Sequence, residues 1–394
     1  MALISQKLQY FDSSDFRKAV AKQSILRDPI DLSIGVPEEL TAKHIKKAGI
    51  RAIKDDKTTY TPANGLAELR RALAEKLMNE NNVPCNEDSV TIVPGLTTGQ
   101  LLVYMALLDP GDEVIVFDPY YPPYPHLAKT IGAEVVFVST LPTFQPDLQA
   151  LEASITHKTK VIVINSPNNP TGAVYSEETL RKIAKIAERH NVTIISDEIY
   201  EHFAYQTPHF SIGSIYPNTI TMNGFSKEYA MTGWRIGYIA GPQEIIDAIN
   251  ELQQYMVMSS SSIAQHAALA ALKHRPQIQA KYKQKRNFLI PELQKIGFDV
   301  WGADGAFFVF IKAPHDLTDL EFTDLASEHG LIIVPGRAFS RLHGYVRISY
   351  GAEKRQLERG INALKNLTVE LGNKNTATSH QSGDLRAFAK SSKI

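Results

Sequence analysis

The stretch TITMNGFSKEYAMTGWRIGYIAG, residues 219–241, contains two β-rich apolar runs, TITMNGF (219–225) and WRIGYIAG (234–241). The link between them is shorter than the crossover of about a dozen residues that neighbouring parallel strands require. The second run is therefore predicted to pair antiparallel in the sheet, leaving Lys227 on the loop between two core strands. Upstream, EVIVFD (113–118), AEVVFV (133–138), KVIVIN (160–165) and VTIISD (192–197) alternate with helical patterns. That rhythm predicts an α/β fold with a mostly parallel sheet flanked by helices.

Downstream, a helical stretch from about Pro242 to His274 leads to FDVWGADGAFFVFIKA (298–313), LIIVPG (331–336) and YVRISYG (345–351). These read as strands of a smaller α/β domain, completed by the N-terminal segment around residues 12–40. The expected division is 1–40 as an N-terminal segment contributing to the small domain, 41–285 as the large domain, 286–371 as the small domain and 372–394 as a mobile or loosely docked tail. The tail is polar and aperiodic. A length of 394 residues accommodates two such units.

With 42 basic and 42 acidic residues the formal charge is zero. No global field draws the chain to nucleic acid or an anionic membrane, and a small-molecule task fits better. Cys85 is the only cysteine. It excludes an internal disulfide and a thiolate metal cluster, and it suits the cytoplasm. The opening residues lack a signal-peptide core, and no run approaches the roughly 20 apolar residues of a membrane span. Asn191 and Asn366 match the glycosylation pattern, which carries no weight without a secretion signal. Ser392-Lys393-Ile394 departs from the peroxisomal Ser-Lys-Leu address at its last residue. The 12 histidines form no ligand-spaced cluster, so no metal is implied.

Ligands in open α/β sheets gather at the carboxyl ends of strands. Reading those ends yields Asn169 in SPNNPTG, then Asp197 and Tyr200, then Ser226 and Lys227. Gly95-Leu96-Thr97 opens an apolar helix, and free N–H groups at a helix start bind phosphate. It is a phosphate cradle without the lysine of a Walker loop. Each piece also has a plain reading: Asp197 and Thr97 as helix caps, NNPTG as a turn, the lysine as a surface charge, YYPPYP (120–125) as packing. All the plain readings must hold together at successive strand ends. An amine, a carboxylate, a phenol and a phosphate pocket in one place are what pyridoxal phosphate requires.

GFSKEYAMTGWRIG closely resembles the lysine motif of the fold-type-I, class I/II aminotransferases, and the resemblance runs in consistent order over roughly residues 30–352. It implies a large domain with a mostly parallel, mixed, seven-stranded-type sheet, a smaller α/β domain, and pyridoxal 5'-phosphate as cofactor. Lys227 matches the Schiff-base lysine that also moves the proton. Arg235 and Ser226 match phosphate ligands beside Gly95, Leu96 and Thr97. Asp197 matches the partner of the pyridine nitrogen, Asn169 and Tyr200 the groups on the phenolic oxygen, and Tyr121 the ring stacked on the cofactor. Tyr120 is then structural. Arg347 matches the arginine that grips the substrate α-carboxylate, and Gly35 in SIGVPE the backbone that closes over the substrate. Tyr60 in TTYTPANGLAELR matches the tyrosine that reaches the neighbouring subunit's phosphate, which implies a homodimer.

Three segments depart from the pattern. Gly224 stands where relatives carry serine or threonine, implying weaker cofactor retention. SIGVPEE replaces the common Gly-Glu-Pro-Asp. PGRAFS (335–340) places Arg337 and Ser340 where a small residue and glycine are usual. Arg337 is a candidate reader of a side-chain carboxylate, with a solvated arginine as the alternative. The implied reaction moves an amino group from an L-amino acid, aspartate or a broad acidic and aromatic range, to a 2-oxo acid such as 2-oxoglutarate by a ping-pong route. A lyase of the same fold acting on a carbon-sulfur bond, and a noncatalytic regulator, are the alternatives.

Overall fold

Residues 90–240 build the sheet that carries the strand ends. In the computed structural model, which describes residues 5–10 and 28–388, the seven strands are β2 (Val90–Val93), β3 (Glu113–Asp118), β4 (Glu134–Ser139), β5 (Thr159–Asn165), β6 (Thr193–Asp197), β7 (Thr219–Gly224) and β8 (Gly237–Ala240). Their order is β2-β8-β7-β6-β5-β3-β4. Strand β8 runs antiparallel to both β7 and β2, while the remaining pairs are parallel. The reversal is as expected, although the observed link, 225–236, is longer than the apolar runs implied. Val90–Val93 is the strand that periodicity left unread, because four apolar residues cannot be told from a helix start by pattern alone.

Alternate residues feed opposite faces, as strand geometry dictates. Ile115, Ile162 and Ile194 join a core with Leu180 and Ile183 of the helix Glu177–His190, while Val114, Val161 and Ile195 face Leu102 and Val103 of the helix Leu96–Leu107. Each such fully buried aliphatic side chain contributes roughly 1.5–3 kcal/mol. Ser176 caps the helix Glu177–His190 by accepting from Thr179 N, and Asn191 closes it in the left-handed conformation. The stretch from 242 to 274 is two helices, Gln243–Met256 and Ser262–Lys273, the second capped by Ser261.

The smaller α/β part contains a sheet of order β11-β12-β9, formed by β9 (Phe308–Lys312), β11 (Val334–Pro335) and β12 (Tyr345–Ser349). Of the segment 298–313 only the end is a strand. N-terminal β1 (Ile30–Asp31) pairs parallel with β10 (Leu331–Ile332), which brings residues 30–31 to this part. Tyr200, Phe203 and Tyr205, which follow β6, pack in one cluster with Phe307 and Phe308. The small sheet is thereby pressed against the carboxyl ends of the large one.

The final helix spans Lys354–Phe388 and runs through most of the segment read as an aperiodic tail. Leu357, Ile361, Leu364 and Leu367 hold its first part in the core. Beyond them the chain contains no proline, and only Gly372 and Gly383 oppose continuation. Ser392-Lys393-Ile394 and residues 11–27 lie outside the described residues. No helix among the described residues is long and apolar enough to cross a membrane.

Candidate active site

The carboxyl ends of β5, β6 and β7, the start of the helix Leu96–Leu107 and the small sheet enclose a cavity of about 420 Å³. Gly35, Leu96, Thr97, Tyr121, Asn169, Asp197, Tyr200, Ser226, Lys227, Arg235 and Arg347 all line it. Gly95 stands directly behind Arg235. Of the residues singled out in the sequence, Tyr60 and Arg337 are not on its wall.

Lys227 keeps part of its surface in the cavity while protein atoms crowd the amine. Its Nζ donates to Gly35 O at 2.7 Å and stands 5.8 Å from the centre of the Tyr200 ring. Burial brings the amine down to about 8. Arg347 and, more weakly, Arg235 push the same way, and Asp197 opposes them. A neutral amine is the nucleophilic form. Labelling of Lys227 by a small amine-reactive reagent, quantified by peptide mass analysis, is expected to reach half its maximum near pH 8. An unperturbed lysine would reach it near about pH 10.4. A midpoint at the unperturbed value would show that the amine is not buried as described.

The loop that accepts from Lys227 is itself anchored. Glu38 N donates to Tyr282 Oη at 3.1 Å, Tyr282 Oη donates to Glu39 at 2.7 Å, and Lys285 pairs with Glu38 at 2.7 Å. Glu38, a departure in SIGVPEE, and its neighbour Glu39 are thus used to hold the loop.

Asp197 is buried at the end of β6. Its Oδ2 accepts from Tyr124 Oη at 2.7 Å and its Oδ1 from Ile199 N at 3.1 Å. Burial pushes the carboxyl up to about 6, against the pull of Tyr124, Ile199 and Lys227. Asn165 donates to Asp197 O and accepts from Asn169 N, so the two strand ends brace each other. Tyr124 and Asn165 are site residues that the sequence reading missed. The available signal for Tyr124 was its position one helical turn after Tyr121, on a helix beginning at Pro123. Tyr124→Phe removes a bond that favours the carboxylate. It is expected to raise the Asp197 pKa above about 6 and to lower kcat roughly tenfold, the worth of one hydrogen bond to a charged group. A pH titration of the Asp197 carboxyl by infrared difference spectroscopy, with kcat for the reaction proposed below, checks both.

At the opposite end, Arg235 adopts a left-handed backbone with φ 52° and donates from Nη1 to Thr232 O at 3.0 Å. Its guanidinium lies against Gly95, where a Cβ would fall 2.4 Å from Arg235 Nη2 and where φ is +86°. Only glycine fits both demands. The helix behind it presents its first-turn N–H groups, with Thr97 and Ser226 on the same wall. Tyr121 packs edge-on against Tyr124 at 5.6 Å.

Arg347, 3% exposed, comes from β12. It donates from Nη1 to Asn169 Oδ1 at 3.0 Å and from Nη2 to Ser33 O at 2.6 Å. Phe308 and Phe339 sandwich its guanidinium, at 4.6 and 4.4 Å from Cζ to the ring centres. Its Nε has no partner, and no carboxylate among the described residues pairs with it. Burial lowers its pKa to about 10. A buried cation without an acid is costly unless an anion completes it.

One sequence expectation is corrected. Arg337 does not present its fork to the cavity: Nε and Nη2 donate to the two oxygens of the fully buried Asp319 at 2.9 and 2.8 Å, and Arg337 N donates there too. Asp319 was invisible as a partner because it lies on a different helix. Gly224 and Gly237 face each other, with a Cβ on Gly224 only 3.0 Å from Gly237 Cα, whereas Gly233 has open space around it. The serine or threonine common at position 224 would crowd β8 here. Ser340, the other departure, donates to buried Asp118 at 2.5 Å.

Behind the cavity lies a buried polar layer whose members directly follow site residues. Glu201, next to Tyr200, accepts from Lys76, from Asn223 at 2.7 Å and from Asn81 at 2.6 Å. Glu198, next to Asp197, accepts from Ser196 and Ser211 and lies 3.1 Å from His209 Nε2. Glu198, Glu201 and His209 are close enough to suggest a cation site. Their carboxylates are already occupied by these donors, so the cluster reads as a scaffold holding the turn after β6.

Residues 27–364 match the family model for aminotransferase class I and II. A probable aspartate/prephenate aminotransferase of Thermus aquaticus is 40% identical over 353 residues, covering 86% of this chain and 92% of the relative. The structure of the Thermus thermophilus aspartate aminotransferase with maleate superposes with a TM-score of 0.89 at 36% identity, covering 93% of this chain and all of the other. An aromatic aminotransferase from Pyrococcus horikoshii superposes with a TM-score of 0.84 at 34% identity, covering 90% of this chain and 99% of the other. The chain belongs to the class I and II aminotransferases. It is an enzyme, a transaminase.

Proposed function

We propose that this transaminase uses pyridoxal 5'-phosphate to move the amino group of an L-amino acid, aspartate foremost, to a 2-oxo acid such as 2-oxoglutarate. The observation that carries the reading is a single cavity in which the Lys227 amine stands between an unpaired buried Arg347 and a buried Asp197, with Arg235 at a helix start beyond. The residues fit the cofactor: Gly95 is shaped around Arg235, and the first-turn N–H groups beside it suit a phosphate. When bound, the cofactor supplies a covalent anchor for the amino nitrogen and a ring that accepts electrons from the α-carbon.

The chain's own groups do the rest. Arg235, Ser226, Thr97 and the N–H groups near Leu96 would hold the phosphate, Asp197 the ring nitrogen, Asn169 and Tyr200 the phenolic oxygen, and Tyr121 one ring face. Arg347 receives the substrate α-carboxylate as a planar fork matched to it. The Lys227 amine, whose proton affinity burial lowers to about 8, holds and returns the proton of the α-carbon. Gly35 bounds the substrate side.

We also place the active unit as a homodimer. Tyr60 is 81% exposed, yet its loop is pinned by Gln265 donating to Thr61 and Ser262 donating to Lys57 O. A rigid loop that offers an aromatic ring to solvent suits a second subunit's phosphate. The single thiol, Cys85, fits a reducing compartment, the cytoplasm.

The test is a half-reaction screen. Loaded enzyme is given single L-amino acids without an oxo acid, and the cofactor absorption and the released oxo acid are followed. Conversion by aspartate with oxaloacetate released is expected. Release of ammonia and pyruvate from a sulfur-bearing donor instead would make it a lyase, and silence toward every donor would sink the reading.

A further inference from the structure

We propose that Arg337 and Asp319 form a positioning pair that sets Phe339 against Arg347, and so aims the α-carboxylate fork for every substrate irrespective of side chain. This rests on the proposed function, since it concerns how Arg347 meets its anion.

Strand β11 lies beside β12, with Val334 directly across from Arg347. The chain then turns sharply through Gly336–Ala338, a place where a Cβ on Gly336 would fall 2.3 Å from Tyr345 O. Phe339 follows, 2% exposed, and its ring covers one face of the Arg347 guanidinium. Phe339 N donates to Gly336 O at 2.8 Å, and Phe339 O accepts from Tyr120 N at 2.7 Å, so the loop touches the segment that carries Tyr121. Gly336 fits the turn closely against Tyr345, and Ser340 ties the far side of Phe339 to Asp118, but neither sets the orientation of the turn between them. That is supplied by Arg337, which makes three hydrogen bonds to one carboxylate on the first residue of the helix Asp319–Glu328.

Asp319 is fully buried, and Thr318 caps the helix beneath it, so the anchor does not move. Against the upward push of burial, Arg337 holds the Asp319 carboxyl below its ordinary value, as a persistent ion pair does. The fork geometry ties both oxygens, which fixes orientation as well as distance. The consequence reaches Arg347 because its Nε makes no hydrogen bond and its plane is held by the two rings as well as by Asn169 and Ser33. Loosening one ring lets the plane tilt, and a tilted fork loses its second bond to a carboxylate.

The experiment compares Arg337→Ala and Asp319→Asn with the parent in two ways. One is steady-state kinetics of the loaded enzyme with acidic, aromatic and small donors. The other is calorimetric titration of the loaded enzyme with propionate, an unreactive monocarboxylate. The expected result is a rise in KM, on the order of ten- to a hundredfold, shared by all donors and by the oxo acid, with kcat moving far less and propionate binding weakened in parallel. A rise confined to aspartate and glutamate would overturn the proposal and return Arg337 to a side-chain reader. Unchanged KM and propionate binding in a variant that melts like the parent would leave only a loop brace, and also overturn it. Should both variants fail to fold, Phe339→Leu removes the ring while keeping the bulk. The same uniform KM rise is expected, and an unchanged KM refutes the idea. A parent inert toward every donor would count against the proposed function alone, because the propionate titration still decides this inference.

Discussion

The Lys227→Ala variant is expected to lose at least about 10²–10⁴ in kcat, the range typical of a positioned acid–base group, while remaining folded. Among the described residues Lys227 is the only lysine on the cavity wall, so no second amine there stands ready to replace it. Its environment is built for a neutral amine: burial and two nearby guanidinium groups lower its proton affinity, and the Gly35 carbonyl takes one of its hydrogens. Arginine is no substitute, because a guanidinium stays protonated and the cavity already holds two. Lys227→Arg is therefore expected to be as inactive as alanine. Single-turnover amino transfer, with circular dichroism to confirm the fold, checks both variants. Activity within threefold of the parent would remove Lys227 from the reaction.

The second large effect belongs to Arg347. Truncating one partner of a buried, hydrogen-bonded charge pair costs about 2–5 kcal/mol. Arg347→Met is accordingly expected to lower kcat/KM by on the order of 10²–10³, with most of the loss in KM for donor and acceptor alike. Stability should move the other way. In the ligand-free protein this cation is buried without an acid, and its pKa is depressed to about 10. A depressed cationic pKa means that holding the proton opposes folding wherever the group is charged, which includes neutral pH. Arg347→Met should thus melt no lower than the parent without ligand, and should lose the rise in melting temperature that a carboxylate substrate confers. A variant destabilised by several degrees with unchanged KM would mark Arg347 as structural instead. Arg347→Lys keeps the charge but not the fork and should fall between the two.

Much of this site could be read from the chain because strand ends are sequence-local features. Asn169, Asp197, Tyr200 and Lys227 each follow an apolar run directly, and topology alone delivers such residues to one edge of a parallel sheet. The antiparallel β8 was expected from two apolar runs lying close in sequence, and the pairing is antiparallel. Less was legible wherever a residue's partner is distant in sequence. Tyr124 meets Asp197 across 73 positions and Ser340 meets Asp118 across 222, and no periodicity announces either pair. Arg337 was misread for the same reason. A chain without its fold presents it as a spare cation, yet Asp319, 18 positions earlier on a separate helix, claims it. The end of the chain shows a further limit of local pattern. Its polar composition hides a helix continued from an apolar stretch that the core already holds.

The sequence alone determined the family, the parallel sheet with one reversed strand, and the identity of the groups that gather at its edge. These depend on local pattern, link length and residue chemistry. Only the tertiary structure decided what those groups are like once gathered: an amine near 8, a carboxyl near 6, an arginine with no acid beside it and another already taken. Charge and proton affinity depend on burial and on neighbours within a few ångströms, and those neighbours are brought together only by folding.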